Sequence, residues 1–394
     1  MRIDSSDNPS GGRVHTEVHW NEAGASRVAR WRSENGAPPP RRLVVADDRM
    51  TADTAYRLAC EGTALLWRGD FHNARQLLSA LARRVDRPRR RRRSAPAGTE
   101  PRPRAQDFHV HRMAQGQKAR TLGMLLVPLD PDYTIPLRRS PDVRDACREA
   151  YGPPGDEPSL VSLREILGII GAHEWRTKGV EVPALNARIH PHYGVFSPVR
   201  GEYVDLVAQE PLPSSASVAF DIGTGTGVLA AVLARRGVRR VVATDNDDRA
   251  LACARENVER LGLAEQVEVV RAELFPPGRA GLVVCNPPWI PARASSSIEH
   301  AVYDPGGRML RGFLVGLAEH LEPGGEGWLV LSDIAEHLGL RTRDELLAAF
   351  ADAGLAVAGR RDVRPRHPRS ADPGDPLHAA RAAETTSLWR LVPA

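Results

Sequence analysis

The feature that most constrains the fold is a regular alternation of predicted strands and helices beginning near residue 185. Val218–Ile222 has the composition of a strand, a glycine-rich turn follows it, and Val228–Arg236 has the pattern of a helix. Similar units recur along the rest of the chain, and alternation of this length predicts a mostly parallel sheet covered by helices on both faces. The expected fold class is therefore α/β. The further predicted strands are Val241–Thr244, Val267–Arg271, Leu282–Cys285, Gly327–Leu331, Val357–Val363 and Thr386–Leu391.

The glycine-rich turn, Asp221–Gly227, predicts a ligand site because glycines let the backbone approach a ligand closely. Asp245 ends the next strand, where a carboxylate can accept hydrogen bonds from ribose hydroxyls, and Glu273 follows the third strand, where it can accept from an adenine amine. An acidic residue at position 221 would repel a pyrophosphate but attract the ammonium of a methionine moiety. A nucleoside joined to an amino acid is therefore favoured over NAD or FAD. The predicted cofactor-binding residues are Asp221, Gly223, Thr224, Gly225, Gly227, Asp245, Asn246, Glu273, Leu274 and Asn286.

The segment Asn286–Trp289, which we call the clamp, follows the fourth strand of the series. Proline fixes φ and carries no N–H, so carbonyls near Pro287 and Pro288 stay free to accept hydrogen bonds. An amide oxygen, a carbonyl and an aromatic face suit a flat guest with an NH₂ group, such as a nucleobase amine or a side-chain amide. Accepting both N–H groups would turn the nitrogen lone pair toward a methyl donor. The predicted catalytic residues are Asn286, Pro287, Pro288 and Trp289.

Together these motifs resemble those of class I S-adenosylmethionine-dependent methyltransferases, in the branch with an Asn-Pro-Pro-aromatic motif, which methylates exocyclic or amide nitrogen. Trp289–Pro291 and Phe196–Glu202 are similar to segments of release-factor glutamine methyltransferases. Gly194–Ser197 is equally similar to small-domain methyltransferases that act on guanine N2 of ribosomal RNA. The resemblance covers residues 185–394. It implies a Rossmann-like domain with a seven-stranded sheet, S-adenosyl-L-methionine as the cofactor and N-methyltransferase activity.

The acceptor implied by the resemblance is a macromolecule of the translation apparatus, either a release factor-like protein or an RNA. Trp289 stands where Tyr is commoner in the family and Glu273 where Asp is commoner, so DNA adenine and small-molecule amines stay open as acceptors. An inactive cofactor-binding adaptor is a further alternative. A nicotinamide oxidoreductase is disfavoured by the glycine spacing and by the lack of a Tyr-x-x-x-Lys pair.

The N-terminal half is expected to be a smaller, mainly helical region. Residues 1–40 are polar and predicted to be disordered, and residues 41–84 have leucines at helical spacing, which predicts a helical hairpin. Residues 85–107 are rich in Arg and Pro and are interpreted as a linker. Residues 108–184 are predicted to be an accessory, substrate-recognition region, and residues 185–394 the methyltransferase domain.

Composition adds few constraints. The net charge of +5 comes almost entirely from arginine, which is typical of a GC-rich genome and is weak support for nucleic-acid binding. Four widely spaced cysteines and the lack of a long apolar stretch predict a soluble, cytoplasmic protein. The histidine pairs His109/His111 and His190/His192 have no carboxylate or cysteine partners at ligand spacing, so no metal is predicted. Asp304 is expected to shape a loop over the site.

Overall fold

The structure is a computed structural model that describes residues 16–86, 104–293, 302–365 and 377–394, which group into two compact units. The first unit takes its described residues from 1–88, 118–148 and 152–167, and the second from 89–117, 149–151 and 168–394. The strands are β1 (Glu17–Glu22), β2 (Ala25–Arg32), β3 (Arg42–Ala46), β4 (Thr63–Trp67), β5 (Leu125–Leu129), β6 (Ser159–Ser162), β7 (Val180–Val182), β8 (Ala187–Ile189), β9 (Val218–Ile222), β10 (Arg240–Asp245), β11 (Val267–Arg271), β12 (Ala280–Cys285), β13 (Leu321–Ser332), β14 (Leu355–Val363) and β15 (Thr386–Pro393). The helices are α1 (Ala52–Cys60), α2 (Phe71–Val85), α3 (Arg104–Gly123), α4 (Arg144–Tyr151), α5 (Leu163–Lys178), α6 (Glu202–Gln209), α7 (Val228–Arg235), α8 (Asp248–Arg260), α9 (Arg308–His320), α10 (Ile334–His337), α11 (Arg343–Asp352) and α12 (His378–Ala383).

The second unit contains the seven-stranded sheet that the sequence predicts. Its strand order is β11-β10-β9-β12-β13-β15-β14, in which the first five strands are parallel and β15 runs antiparallel to both of its neighbours. Alternate residues of β9 enter two different apolar clusters: Ala219 packs with α7, and Phe220 and Ile222 pack with α9. Both faces of the sheet are therefore buried, as a doubly wound α/β fold requires. The predicted α/β, Rossmann-like fold class is confirmed.

The first unit is a mixed α/β structure, so the expectation of a mainly helical N-terminal region is wrong. Six strands form one sheet in the order β1-β2-β6-β5-β4-β3, with both parallel and antiparallel pairs. Every residue of β4 and of β5 is buried. A fully buried strand is a continuous apolar run without a two-residue period, and such a run is hard to tell from a helix by pattern.

The prediction that residues 1–40 are disordered is wrong for β1 and β2, which form an antiparallel hairpin; residues 1–15 lie outside the described part of the chain. The turn is Ala23-Gly24, and both residues have positive φ, as the tight two-residue hairpin turn demands. Val18 pairs with Ala29, and both are buried. A two-residue apolar alternation was therefore present in a segment that looks polar on average.

The predicted helical hairpin over residues 41–84 is also corrected, because α1 and α2 are separated by β4 and preceded by β3. Leu65 and Leu66 are among the leucines at helical spacing, yet they lie in β4 between two parallel neighbours. Most of the predicted linker, residues 87–103, lies outside the described residues, and α3 begins at Arg104.

The compact units differ from the predicted domain boundaries. Residues 104–117 and 168–184, which were predicted to be linker and accessory region, group with the seven-stranded sheet. No helix in the described ranges is long and apolar enough to cross a membrane.

Candidate active site

The predicted site residues lie together at the carboxyl ends of neighbouring parallel strands in the second unit. The glycine-rich turn follows β9, Asp245 ends β10, Glu273 comes shortly after β11, and the clamp follows β12. Strand β9 has β10 on one side and β12 on the other, so the direction of winding reverses between β9 and β12. Open parallel sheets bind ligands at such a switch point.

The clamp and the glycine-rich turn are adjacent because their strands are paired in register. Cys285 of β12 lies opposite Ile222 of β9. The residues that follow these two positions, Asn286 and Gly223, therefore begin their loops side by side. This neighbour relation depends on the strand order, which the sequence alone does not specify.

The glycine-rich turn has a backbone that other residues adopt poorly. Gly223 has φ +70° and Gly227 has φ +79°, in the left-handed region. A Cβ on Gly223 would also lie 2.3 Å from the terminal methyl carbon of Met309. The amide of Thr224 donates to the Thr244 carbonyl over 2.8 Å, which ties the turn to the end of β10.

Asp221 supports this turn from a buried position near the end of β9. Its carboxyl is buried, and Oδ2 accepts hydrogen bonds from the Thr224 hydroxyl at 2.6 Å and from the Ala230 amide at 3.0 Å. Burial raises the pKa of Asp221 to about 6, because the charged form is poorly solvated there. An effect of Asp221 on a ligand ammonium would therefore be electrostatic, through the turn that it supports.

Asp245 links the ends of two strands. Its Oδ2 accepts from the Gly225 amide at 3.0 Å, and its Oδ1 accepts from the Asp247 amide at 3.0 Å. Partial burial raises the pKa of this carboxyl as well. Next to it, the exposed Asn246 side chain donates to Glu273 over 3.2 Å, so these two predicted residues contact each other at the surface.

The segment after β11 is placed by contacts that sequence reasoning missed. The Thr244 hydroxyl donates to the Leu274 carbonyl over 2.6 Å. Gly312 of α9 faces Leu274 so closely that a Cβ would lie 2.6 Å from a Leu274 methyl. The glycine therefore leaves room for the Leu274 side chain against α9, and its position in the middle of a predicted helix is the available signal.

Within the clamp, two predicted catalytic residues contact each other. The indole N–H of Trp289 donates to Asn286 Oδ1 over 2.9 Å. Pro287 is buried, whereas Asn286, Pro288 and Trp289 are half-buried. The carboxamide is thus held by its own neighbour, and since an amide oxygen has two lone pairs, it can accept one further hydrogen bond.

The loop after the clamp returns to it through main-chain contacts. Ile290 and Tyr303 form a β-bridge, and the Asp304 amide donates to the Ile290 carbonyl over 2.9 Å. Asp304 Oδ2 accepts from the amides of Met309 (2.9 Å) and Leu310 (3.3 Å) at the start of α9. Asp304 therefore joins the clamp to α9 by satisfying free helix amides.

The histidine pair at positions 190 and 192 has protein partners. His192 Nε2 lies 2.6 Å from Glu256 Oε2 on α8, and the His190 amide donates to Asn257 over 2.8 Å. Within the described ranges there is no group of three or more His, Cys, Asp or Glu residues suited to hold a metal ion.

Comparison with known proteins agrees with this geometry. Residues 186–353, which carry the glycine-rich turn and the clamp, match the family model "Methyltransferase small domain". The match covers less than half of the chain, and this part of the chain is similar to methyltransferase domains. The predicted resemblance to methyltransferases that depend on S-adenosyl-L-methionine is confirmed for this part.

Two curated relatives are similar to part of this chain. The chain is 34% identical over 173 residues to the ribosomal protein L11 methyltransferase of Sorangium cellulosum, covering 44% of this chain and 46% of that protein. It is 37% identical over 120 residues to the release factor glutamine methyltransferase of Cereibacter sphaeroides, covering 27% of this chain and 43% of that protein. The chain thus spans less than half the length of these two relatives. A solved ribosomal protein L11 methylase from Lactobacillus delbrueckii is 17% identical, with 53% of this chain and 86% of that one covered and a TM-score of 0.35, which is too low to add to the assignment.

Proposed function

We propose that this chain is an S-adenosyl-L-methionine-dependent N-methyltransferase that acts on a planar amide nitrogen of a protein of the translation apparatus, in the cytoplasm. The observation that carries the proposal is the register of β12 against β9, which puts Asn286 beside the glycine-rich turn. A group that presents an NH₂ to the clamp would thereby lie next to whatever the turn binds.

The residues present fit the proposed cofactor. Gly223, Gly225 and Gly227 of the turn have left-handed backbones, and Asp245 offers a half-buried carboxylate at the end of the adjacent strand. Such a carboxylate suits ribose hydroxyls. The exposed Glu273 carboxylate would accept from an adenine amine. When bound, S-adenosyl-L-methionine supplies an electrophilic methyl group.

The clamp residues would prepare the acceptor nitrogen for that methyl group. An amide nitrogen is a poor nucleophile because its lone pair is delocalised into the carbonyl. The remaining lone pair of Asn286 Oδ1 and the Pro287 carbonyl would accept its N–H groups, and the ring of Trp289 would cover its plane. These acceptors stabilise the positive charge that develops on the nitrogen, which sheds a proton after transfer.

A protein acceptor is favoured over an RNA base because both relatives are named for the methylation of proteins, ribosomal protein L11 and a release factor. The matched segments cover 46% and 43% of these two relatives. Which of these two kinds of protein is the acceptor is therefore a proposal, and so is the identity of the methylated nitrogen.

A labelling experiment tests the function. The chain is incubated with tritiated S-adenosyl-L-methionine and, separately, with purified release factor, ribosomal protein L11 and total RNA. We expect label on the release factor that protease removes and RNase does not, and no label with Asn286→Ala. Label only on RNA would replace the protein acceptor by a base, and calorimetry that detects nicotinamide binding without S-adenosylhomocysteine binding would overturn the proposal as a whole.

A further inference from the structure

We infer that Arg200 is a positioning residue for the clamp: it holds Trp289 by its guanidinium plane and is itself held by Glu384, a residue near the end of the chain. The inference rests on the proposed function, since it gives this contact a role in presenting the methyl acceptor. It concerns residues of the second unit only.

The first step is the contact between Arg200 and the clamp. The guanidinium carbon of Arg200 lies 5.3 Å from the centroid of the Trp289 ring. That distance is within the range in which a cation is attracted to the face of an indole, the aromatic ring that binds cations best. Because Trp289 donates to Asn286 Oδ1, a shift of the ring would move the hydrogen bond that orients the carboxamide.

The second step is that Arg200 is fixed from two sides. Its Nε donates to Glu202 over 3.0 Å, and its Nη2 donates to Glu384 over 3.1 Å. Both carboxylate side chains are only 3% exposed. Hydrogen bonds between charged partners are short and strong when they are buried, and two of them from one planar group fix its orientation.

The third step connects this group to the sheet. Glu384 Oε1 also accepts from the Ser332 hydroxyl over 2.7 Å, at the end of β13, the strand next to the clamp's own strand. The neighbouring Thr385 amide donates to Asp333 over 2.7 Å. The segment between α12 and β15 is thereby tied to the same edge of the sheet as the clamp.

The neighbouring charges explain why the Arg200 cation can contact Trp289 without opposing methyl transfer. An unpaired guanidinium on one face of Trp289 would oppose positive charge developing on an acceptor at the other face. The carboxylates of Glu202 and Glu384 carry two negative charges, and the Arg200 guanidinium carries one positive charge. The group therefore has a formal charge of −1. The group can therefore hold the ring without disfavouring the reaction.

A substrate-independent measurement tests the inference. The chain has seven tryptophans, and the indole ¹⁵N–¹H signal of Trp289 is assigned by its loss in Trp289→Phe. We expect Arg200→Met to shift this signal and to speed its hydrogen exchange about ten-fold, the effect of losing a cation–π contact. Arg200→Lys should restore part of the protection, and Glu384→Gln should weaken it without removing it.

Controls separate this role from folding and from the proposed function. Arg240→Met removes an exposed pair with Glu268 on the same sheet, and it should leave the Trp289 signal unchanged. If Arg200→Met fails to fold, the Arg200→Lys and Glu384→Gln variants carry the test. An unchanged Trp289 signal in folded Arg200 variants would overturn the inference. If neither the wild-type chain nor any variant binds S-adenosylhomocysteine, the proposed function is overturned instead.

Kinetics give the second readout. With the acceptor that the labelling experiment identifies, Arg200→Met should lower kcat about ten-fold and leave the affinity for S-adenosylhomocysteine within about two-fold, because Arg200 acts on the acceptor side. A loss confined to cofactor affinity would contradict a positioning role.

Discussion

The indole N–H of Trp289 donates to the carboxamide oxygen of Asn286 over 2.9 Å, so the aromatic residue of the clamp orients the residue that would receive the acceptor. The side chain of Tyr, the commoner residue at this position in the family that the motif resembles, has no N–H, so only its hydroxyl could donate. The carboxamide keeps one lone pair for a substrate.

The clamp contact gives the first prediction. Asn286→Ala should reduce methyl transfer about 100-fold or more, because it removes an acceptor aimed at developing charge. Trp289→Phe keeps a ring and loses only the donor, so we expect a decrease of about five- to ten-fold, the equivalent of one neutral hydrogen bond. Radiolabel transfer measures both, and calorimetry with S-adenosylhomocysteine should give near wild-type affinity. Unchanged turnover in Asn286→Ala would rule out the mechanism.

The turn gives the second prediction. Gly223→Ala adds a Cβ at φ +70° that would lie 2.3 Å from Met309. The flexible Met309 side chain can move aside, but the left-handed backbone still costs about 1–2 kcal/mol for a residue with a Cβ. A turn that relaxes from this backbone no longer presents its amides in the same place, so we expect about a ten-fold loss of S-adenosylhomocysteine affinity. Isothermal calorimetry measures it.

Gly237→Ala is the matched control for the turn. Gly237 also has positive φ (+97°), but a Cβ there would meet nothing within 4 Å. This variant should lose stability and keep its affinity. Equal affinities for the two variants would mean that the turn does not contact the cofactor.

The third prediction concerns pH. Asp221 has a folded-state pKa of about 6, above its ordinary value of 3.8, so the free protein protonates it as pH falls below 6. Binding of an ammonium favours the ionised form, and affinity for S-adenosylhomocysteine should therefore weaken below pH 6, by at most about ten-fold per pH unit for one proton. Calorimetry between pH 5 and about pH 7.5 follows the change.

Two variants locate the titrating group. Asp221→Asn keeps an acceptor for Thr224 and should make affinity much less dependent on pH. Since burial also raises the pKa of Asp245, Asp245→Asn is measured in parallel. A wild-type affinity that does not change with pH would contradict an electrostatic role for Asp221. The same raised pKa implies that the contribution of Asp221 to folding stability is present at low pH and is lost as pH rises through 6.

The fourth prediction concerns stability alone. Gly281 lies in β12, and a Cβ there would come within 1.8 Å of the Ser215 carbonyl oxygen. A main-chain atom cannot move aside as a side chain can, so we expect Gly281→Ala to lower the free energy of unfolding by on the order of 3 kcal/mol. Denaturant unfolding measures this change. Gly168 lies in α5 with open space around it, so Gly168→Ala should be neutral or stabilising. If Gly281→Ala and Gly168→Ala are equally stable, Gly281 does not approach the Ser215 carbonyl as closely as described.

Local pattern was informative wherever a segment repeats one simple unit. The strands β9 to β12 and the helices between them were recognisable because each strand is short, apolar and followed by a turn or a helix of ordinary length. The N-terminal unit was misjudged for the opposite reason. Its buried strand β4 has no period, and the β1–β2 hairpin has apolar residues on only one face of a polar segment.

The sequence by itself determined the α/β class of the second unit and the resemblance to methyltransferases, and it predicted the candidate site residues, because Asp221–Gly227, Asp245 and Asn286–Trp289 each follow a strand. Only the tertiary structure decided which of them are neighbours. Strand order placed β12 against β9, Asp221 proved to be buried, and Arg200 was joined to Glu384 across 184 positions of sequence. Such contacts follow from how buried faces pack and how buried charges find partners, and these depend on the whole fold rather than on any one segment.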